Sequence, residues 1–153
     1  MKELLSIFCI ITFDYVVQSI ALIMYPIIIL KYAIFGVHPL GLSQYYFIGL
    51  LLASYPFAQF VSTPLLGKLS DKYGRKWILI TALIGTSLSL IVSAISISYH
   101  SPSWALCSRI CLGLFASNIA IGLSCVADIT QVENRASGYA VAQAGIGVGL
   151  FLG

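Results

Sequence analysis

The sequence predicts an all-α protein that crosses a lipid membrane several times. Hydrophobic residues make up 59% of the 153 residues and charged residues only 8%. A water-soluble globular protein carries about 25% charged residues, so this chain could not cover a water-facing surface. Its apolar residues also come in successive runs of about 20, the length that an α-helix needs to cross a bilayer. Lipid is therefore the expected solvent.

Five membrane-crossing helices are predicted, separated by short segments with turn-forming residues. The predicted spans are 4–30, 44–66, 77–98, 104–126 and 136–153. The breaks between them contain Gly, Pro, Ser or charged residues, such as Pro39 and Gly41 in the first break. The fifth apolar run is incomplete at Gly153. We therefore expect the chain to be the N-terminal part of a longer protein whose second half is absent.

The distribution of positive charge predicts how these spans are oriented. Cytoplasmic loops collect Lys and Arg. Lys2, the segment from Lys68 to Lys76, and Arg135 fall on one side of the predicted bundle, whereas the other side carries Lys31 alone. We expect a multi-pass protein of the cell (inner) membrane with its N-terminus in the cytoplasm.

Polar residues inside the predicted spans are the candidates for function. An ionisable side chain in a span costs roughly 2.5–3.5 kcal/mol to insert, so it indicates a functional site. Asp14 lies about 15 Å along the first span from Leu4 and shares a helical face with Gln18. Gln59, in the second span, adds an amide that is costly to leave unpaired. Arg109 lies about 8 Å from the outer end of the fourth span.

We expect Asp14 to carry a proton or to bind a substrate, with Arg109 as its natural partner. A neighbouring cation favours the charged carboxylate, whereas desolvation favours the neutral acid, so the environment decides when a proton binds. Two alternatives stay open: a purely structural hydrogen bond for Asp14, and snorkelling of the Arg109 side chain to the outer interface.

Glycines predict where the helices pack closely. Small residues at intervals of four let membrane helices approach each other. This pattern is formed by Gly145, Gly149 and Gly153, and Gly113 belongs to a similar small-residue face of the fourth span.

No combination of residues suited to catalysis or metal binding is evident in the sequence. The four cysteines lie in apolar stretches without zinc-like spacing, so we expect them to pack as small apolar side chains. The run from Gly145 to Gly149 lies within a span and follows no strand, unlike a nucleotide-binding loop. We expect neither an enzyme nor a cofactor, a metal or a nucleic-acid partner.

The segment between the second and third spans carries the most specific motif. It reads GKLSDKYGRK from Gly67 to Lys76. This motif resembles the signature loop of the major facilitator superfamily, GxLaDrxGrkxxl. A basic turn that only fixes topology would explain the charges, but not the spaced glycines or the aspartate. The matching residues are Gly67, Leu69, Asp71, Gly74, Arg75, Lys76 and Leu79.

The resemblance implies that this segment is a conformational latch. Gly67 is expected to end the second span close to a neighbouring helix, and Gly74 to permit a tight turn. Asp71 would face the positively polarised N-terminus of a helix in the second half. Arg75 would pair with an acid at the cytoplasmic end of the fourth span. The latch residues are then Gly67, Asp71, Gly74, Arg75, Lys76 and Asp128.

Further matches extend the resemblance to tetracycline/proton antiporters. The segment from Arg109 to Gly113 is similar to the RxxqG element of the family, and the stretch from Ala127 to Ala136 resembles the same stretch of those antiporters. Asp14, Pro26 and Gln59 also match that subgroup.

Two departures limit this comparison. Ser89 stands where those pumps have an acidic residue, which argues against tetracycline as the substrate. The GxxxGPxxG motif of their fifth helix is present without its proline, because Leu150 follows Gly149. The second departure leaves the direction of transport open.

The resemblance implies a secondary transporter of twelve helices in two halves that works by alternating access. The leading expectation is proton-coupled export of small amphiphilic compounds, drug-like or tetracycline-like. The expected partners are such a substrate, protons, the lipid bilayer and the missing C-terminal half. One alternative is a symporter or uniporter for a metabolite such as a sugar. The other is a truncated remnant without transport activity.

Overall fold

The computed structural model describes residues 2–32, 34–35, 39–116, 118–131 and 134–153. These residues contain no β-strand, and the predicted all-α class is confirmed. A 3-10 turn, Pro39–Gly41, precedes the second helix. The described α-helices are α1 (Lys2–Tyr32), α2 (Gln44–Tyr73), α3 (Arg75–Ser98), α4 (Pro102–Phe115), α5 (Asn118–Ile129) and α6 (Arg135–Leu152).

Four stretches of the described residues are long and apolar enough to cross a membrane. They are Leu4–Tyr32, Gln44–Tyr73, Arg75–Ser98 and Pro102–Ile129. In an apolar segment of 18 residues within each of them, at most 38% of the residues are buried inside the protein. The remaining apolar side chains face outwards, so their favourable surroundings are lipid. The fifth predicted span corresponds to α6, a helix of 18 residues.

The second span differs from its predicted boundary. α2 continues through Gly67 to Tyr73, and Gly74 alone separates it from α3. A Cβ atom placed on Gly67 would meet nothing within 4 Å, so the expectation that Gly67 ends the helix against a neighbour is wrong. Gly74 has a φ of +91°, a backbone conformation that glycine adopts without the penalty of a side chain. The turn of the motif is therefore made by Gly74.

The fourth span is divided, although the sequence predicts one helix over 104–126. α4 ends at Phe115 and α5 begins at Asn118. Ala116 has φ −81° and ψ 33°, which takes its backbone out of the helix. The apolar run continues across this point without Pro, so hydrophobicity alone does not reveal the interruption.

Two pairs of helices approach at backbone distance through glycine. α1 packs along α6, and α4 packs against α2 and α3. A Cβ atom on Gly149 would lie only 2.7 Å from the Thr12 carbonyl oxygen of α1. Gly145 and Gly153 lie in the same way against the carbonyl oxygens of Phe8 and Val16, at 3.2 and 2.6 Å from an added Cβ. The four-residue interval in α6 therefore matches a four-residue interval of carbonyls in α1.

Gly113 has the corresponding position between α4 and α2. A Cβ atom there would lie 2.4 Å from the Tyr55 carbonyl oxygen and 2.7 Å from the Ala58 Cβ atom. Any larger residue would have to move one helix away from the other.

Two apolar clusters lie towards opposite ends of the bundle. They leave the middle of α1, from Asp14 to Gln18, and the segment of α2 after Leu51 between them. One cluster contains Tyr25, Ile29, Phe35, Phe47, Leu51 and Ala105, and the other contains Ile7, Ile11, Val126 and Ala142.

Gly149→Ala should destabilise the α1–α6 pair. The new methyl group would overlap with the backbone of α1, and overpacking of this kind costs about 1–3 kcal/mol. The measurement is thermal unfolding of the purified protein in detergent. Gly147→Ala is the matched control, because a Cβ atom there meets nothing within 4 Å. Equal melting temperatures for the two variants would contradict the packing.

Candidate functional site

A polar cavity of about 210 Å³ lies between the two apolar clusters. A second cavity of about 310 Å³ shares Asp14, Gln18 and Tyr55 with it and adds Thr86 of α3. The structure thus brings Asp14, Gln18 and Gln59 together, as three of the four polar residues predicted inside the membrane. Within the described ranges, no three His, Cys, Asp or Glu side chains come together as a metal site requires. The smaller cavity is lined by Asp14, Tyr15, Gln18, Tyr55 and Gln59.

The cavity offers hydrogen-bond acceptors to a bound molecule. Gln18 Oε1 is buried and accepts no hydrogen bond within the described part of the chain. An unsatisfied buried acceptor costs about 1–3 kcal/mol, which a donor group entering the cavity would recover. Asp14 adds a half-buried carboxyl group. The site is therefore suited to a solute that carries N–H or O–H groups.

Arg109 of α4 is buried, only 4% exposed, and its side chain reaches Tyr25 of α1. Its guanidinium carbon lies 4.3 Å from the centre of the Tyr25 ring. A desolvated cation over an aromatic ring gains roughly 2 kcal/mol. The Tyr25 hydroxyl is hydrogen-bonded to the Ser93 hydroxyl of α3. Snorkelling of Arg109 to the interface is therefore not what the structure shows.

The sequence predicts Arg109 as the partner of Asp14, whereas the structure places the Arg109 guanidinium on the Tyr25 ring. Tyr25 follows Asp14 by eleven residues, which is about 16 Å along α1. Arg109 thus stacks on a ring at a different depth from the carboxyl group. Tyr55 lines the cavity beside Asp14. The Nε and Nη2 atoms of Arg109 are buried without a hydrogen-bond partner in the described structure.

Two polar side chains of α2 bind the C-terminal end of α4. Gln59 Nε2 donates a hydrogen bond to the Ala116 carbonyl oxygen at 2.7 Å. Ser62 Oγ lies 3.2 Å from the Gly113 carbonyl oxygen and also 3.2 Å from the Gln59 carbonyl oxygen of its own helix, so its one O–H is shared between these two acceptors. The Gly113 carbonyl also accepts the backbone N–H of Ala116, but the last carbonyls of a helix in general lack a partner within that helix, and lipid offers none. The sequence places Ser62 on the same face as Gln59, and a serine in a helix is expected to bond a carbonyl of its own helix; the contact of Ser62 with Gly113 of α4 is what the sequence did not indicate.

Asp71 and Arg75 of the motif and Asp128 of α5 come together at the end of the bundle where α2 ends and α3 begins. Arg75 Nη1 lies 2.9 Å from Asp128 Oδ2, and Arg75 Nη2 lies 3.9 Å from Asp71 Oδ1. The expected Arg75–Asp128 contact is thus present as an ion pair, although its N–H does not point along the line between the two atoms. The Asp71 side chain is 74% exposed, and Lys76 is exposed beside it.

Comparison with known proteins places these features in a family. The model of the Major Facilitator Superfamily matches residues 7–153. The chain is 38% identical over 106 residues to the class H tetracycline resistance protein of Pasteurella multocida, covering 69% of this chain and 26% of that protein. It is 34% identical over 118 residues to the class C tetracycline resistance protein of Escherichia coli, covering 76% and 28%.

A relative from a fungus is also similar. The chain is 38% identical over 87 residues to a major facilitator superfamily multidrug transporter of Aspergillus fumigatus, covering 57% of this chain and 14% of that protein. The chain spans only about a quarter of the length of the tetracycline resistance proteins that it matches.

Exchanging the charges of Arg75 and Asp128 should preserve part of the thermal stability that the protein loses when only one of the two charges is reversed. Arg75→Asp or Asp128→Arg alone places like charges together and should lower the melting temperature in detergent. The double variant should recover part of the loss, about 0.2–1 kcal/mol for an exposed pair. Lys76→Asp is the control, and Asp128→Arg should not rescue it. A double variant no better than the worse single variant would argue against the pairing.

Proposed function

We propose that this chain, which belongs to the Major Facilitator Superfamily, forms part of a secondary active transporter that exports small amphiphilic compounds in exchange for protons. The observation that carries the proposal is the polar cavity around Asp14 and Gln18 inside an otherwise apolar bundle. Transporters of this kind bind their solute near the middle of the membrane and alternate its access to the two sides. The tetracycline resistance proteins and the multidrug transporter among its relatives favour export of drug-like compounds.

Asp14 is the proposed proton carrier. Protonation at a carboxylate oxygen of Asp14 removes its charge, so the neutral form crosses between inward and outward states at lower cost. A solute that enters from the cytoplasm contacts Asp14 and Gln18, and Asp14 then releases its proton to that side. Proton and solute therefore use the cavity in turn, which is the requirement for exchange.

Ser89 supports a substrate other than tetracycline. Its hydroxyl is buried and donates to the Gly85 carbonyl oxygen of its own helix at 2.8 Å. It therefore presents no charge to a solute at the position where the tetracycline antiporters have an acid. We infer a drug-like compound with fewer charged groups as the exported class.

The exposed motif residues support a second membrane half as partner. Arg75 and Asp128 hold the ends of α3 and α5 together, while the exposed Asp71 is available to a further helix. The relatives are about four times as long as the matched segment, so they contain further chain that could supply this helix. We propose that such a half completes the transporter and docks on Asp71.

Asp14→Asn should abolish uphill transport driven by a pH gradient, because an amide cannot bind and release the proton. Downhill exchange of solute should survive, since that step moves no proton. The assay uses the transporter that contains this chain, reconstituted in vesicles with an imposed pH gradient. Thr81→Ala is the control, because Thr81 lies on α3 outside the cavity lining and its hydroxyl bonds the Ile78 carbonyl of its own helix. Undiminished proton-driven transport by Asp14→Asn would remove the coupling role.

The proposed orientation places Lys76 in the cytoplasm and Tyr45 outside. Both side chains are exposed, so a cysteine at either position should be reachable by a thiol reagent. In intact cells an impermeant maleimide should label Tyr45→Cys but not Lys76→Cys, and cell lysis should make both reactive. The native chain with its four cysteines gives the background. The reverse labelling pattern would overturn the orientation.

A further inference from the structure

We propose that Gln59 and Ser62 are positioning residues that hold the C-terminal end of α4 and thereby set where α5 places Asp128. The inference connects the polar cavity to the Arg75–Asp128 pair. It concerns the packing of the helices and is independent of which solute is moved or whether protons drive transport.

The two hydrogen bonds lie at one point of the α2–α4 interface. Gln59 and Ser62 are three residues apart, so their side chains share a face of α2. Their acceptors, the Ala116 and Gly113 carbonyls, are also three residues apart at the end of α4. Gly113 keeps the two backbones close enough for these short side chains to reach across. We call these two side chains and their two acceptors the α4 clamp.

The α4 clamp lies where lipid offers no competing donor. In water, a lost hydrogen bond to a carbonyl would be replaced by a solvent molecule. In the hydrocarbon region an unsatisfied carbonyl costs several kcal/mol by transfer measurements, so the Ala116 carbonyl retains Gln59 as its donor, while the Gly113 carbonyl also accepts the backbone N–H of Ala116. The other hydroxyl nearby, Thr63 Oγ1, donates instead to the Gln59 carbonyl of its own helix at 2.7 Å. It therefore adds nothing between helices.

The position of α5 depends on where α4 ends. Ala116 is the C-cap of α4, and α5 begins at Asn118 and carries Asp128 near its other end. Asp128 follows Asn118, the first residue of α5, by ten residues, about 15 Å along that helix. A change in the direction of the chain at Ala116 would displace Asp128 by several ångström, which is enough to break a contact of 2.9 Å.

Gln59 takes part in both the clamp and the cavity. It lines the cavity beside Asp14 and Tyr55, while its amide nitrogen is bound to Ala116. A change in the cavity that draws this amide away would release the end of α4. The arrangement thus gives the Arg75–Asp128 pair a physical connection to the cavity through α2, α4 and α5.

The test measures the distance between α3 and α5 at the far end from the clamp. Cysteines replace Arg75 and Asp128, and a short bis-maleimide joins them in detergent, where both sides of the protein are accessible. Since the ion pair itself is removed, the rate of crosslinking reports how the helices are held. The native chain, which has cysteines at positions 9, 107, 111 and 125, gives the background.

In the variant with cysteines at positions 75 and 128, Gln59→Met should lower the crosslinking rate by about two- to tenfold. This is the population change that the net loss of one hydrogen bond produces. Met has a similar volume and no donor. Thr63→Val is the matched control, because it removes a hydroxyl of α2 that bonds only its own helix, and it should leave the rate unchanged.

Two outcomes would overturn the inference. One is an unchanged rate in both Gln59→Met and Ser62→Ala, and the other is an equal decrease in Thr63→Val, which would indicate general loosening. If Gln59→Met fails to accumulate in the membrane, Ser62→Ala tests the same clamp through its second hydrogen bond. A lower crosslinking rate in Ser62→Ala, with the rate of Thr63→Val unchanged, supports the inference.

Discussion

In a lipid environment every backbone carbonyl, amide and charged group must find its partner within the protein, and the arrangement of this chain depends on that constraint. Most hydroxyl groups bond a carbonyl of their own helix, as Thr12 bonds Phe8 and Ser108 bonds Ala105. Such groups bring no helices together. The few side chains that bond across helices therefore stand out, and Gln59 and Ser62 of α2 are among them.

Close backbone contact and the polar cavity are two consequences of the same packing. Because glycines let α6 lie on α1 and α4 lie on α2, the large side chains are directed elsewhere, towards lipid and into the two apolar clusters. The cavity forms between those clusters, where Asp14 and Gln18 of α1 meet Tyr55 of α2. The close contacts at the glycines thus determine where Asp14, Gln18 and Tyr55 lie, although these side chains are not in contact with the glycines.

The sequence was sufficient for features that depend on local composition or on a motif. Apolar run length predicted the helices, helical periodicity placed Asp14 and Gln18 on one face, and the family motif predicted the contact of Arg75 with Asp128. It was insufficient where the partner of a group lies on another helix. Arg109 could have paired with any carboxylate or ring within reach, and only the arrangement of the folded helices brings it to Tyr25 of α1. The interruption after Phe115 was missed because the carbonyls that it frees are satisfied by a different helix.

The strengths of these interactions differ with depth, and this difference orders the steps of a conformational change. The Arg75–Asp128 pair lies at the end of the bundle, with the Asp128 side chain 57% exposed, so water can replace each partner and the pair is worth about 0–1 kcal/mol. Arg109 and the α4 clamp lie inside the bundle, where lost partners are not replaced and the cost is several times larger. A change that starts at the exposed pair therefore needs little energy. In the proposed transport cycle, carrying it into the bundle would require a new partner for the groups at depth, and Gln59 is the one of these groups that lines the cavity.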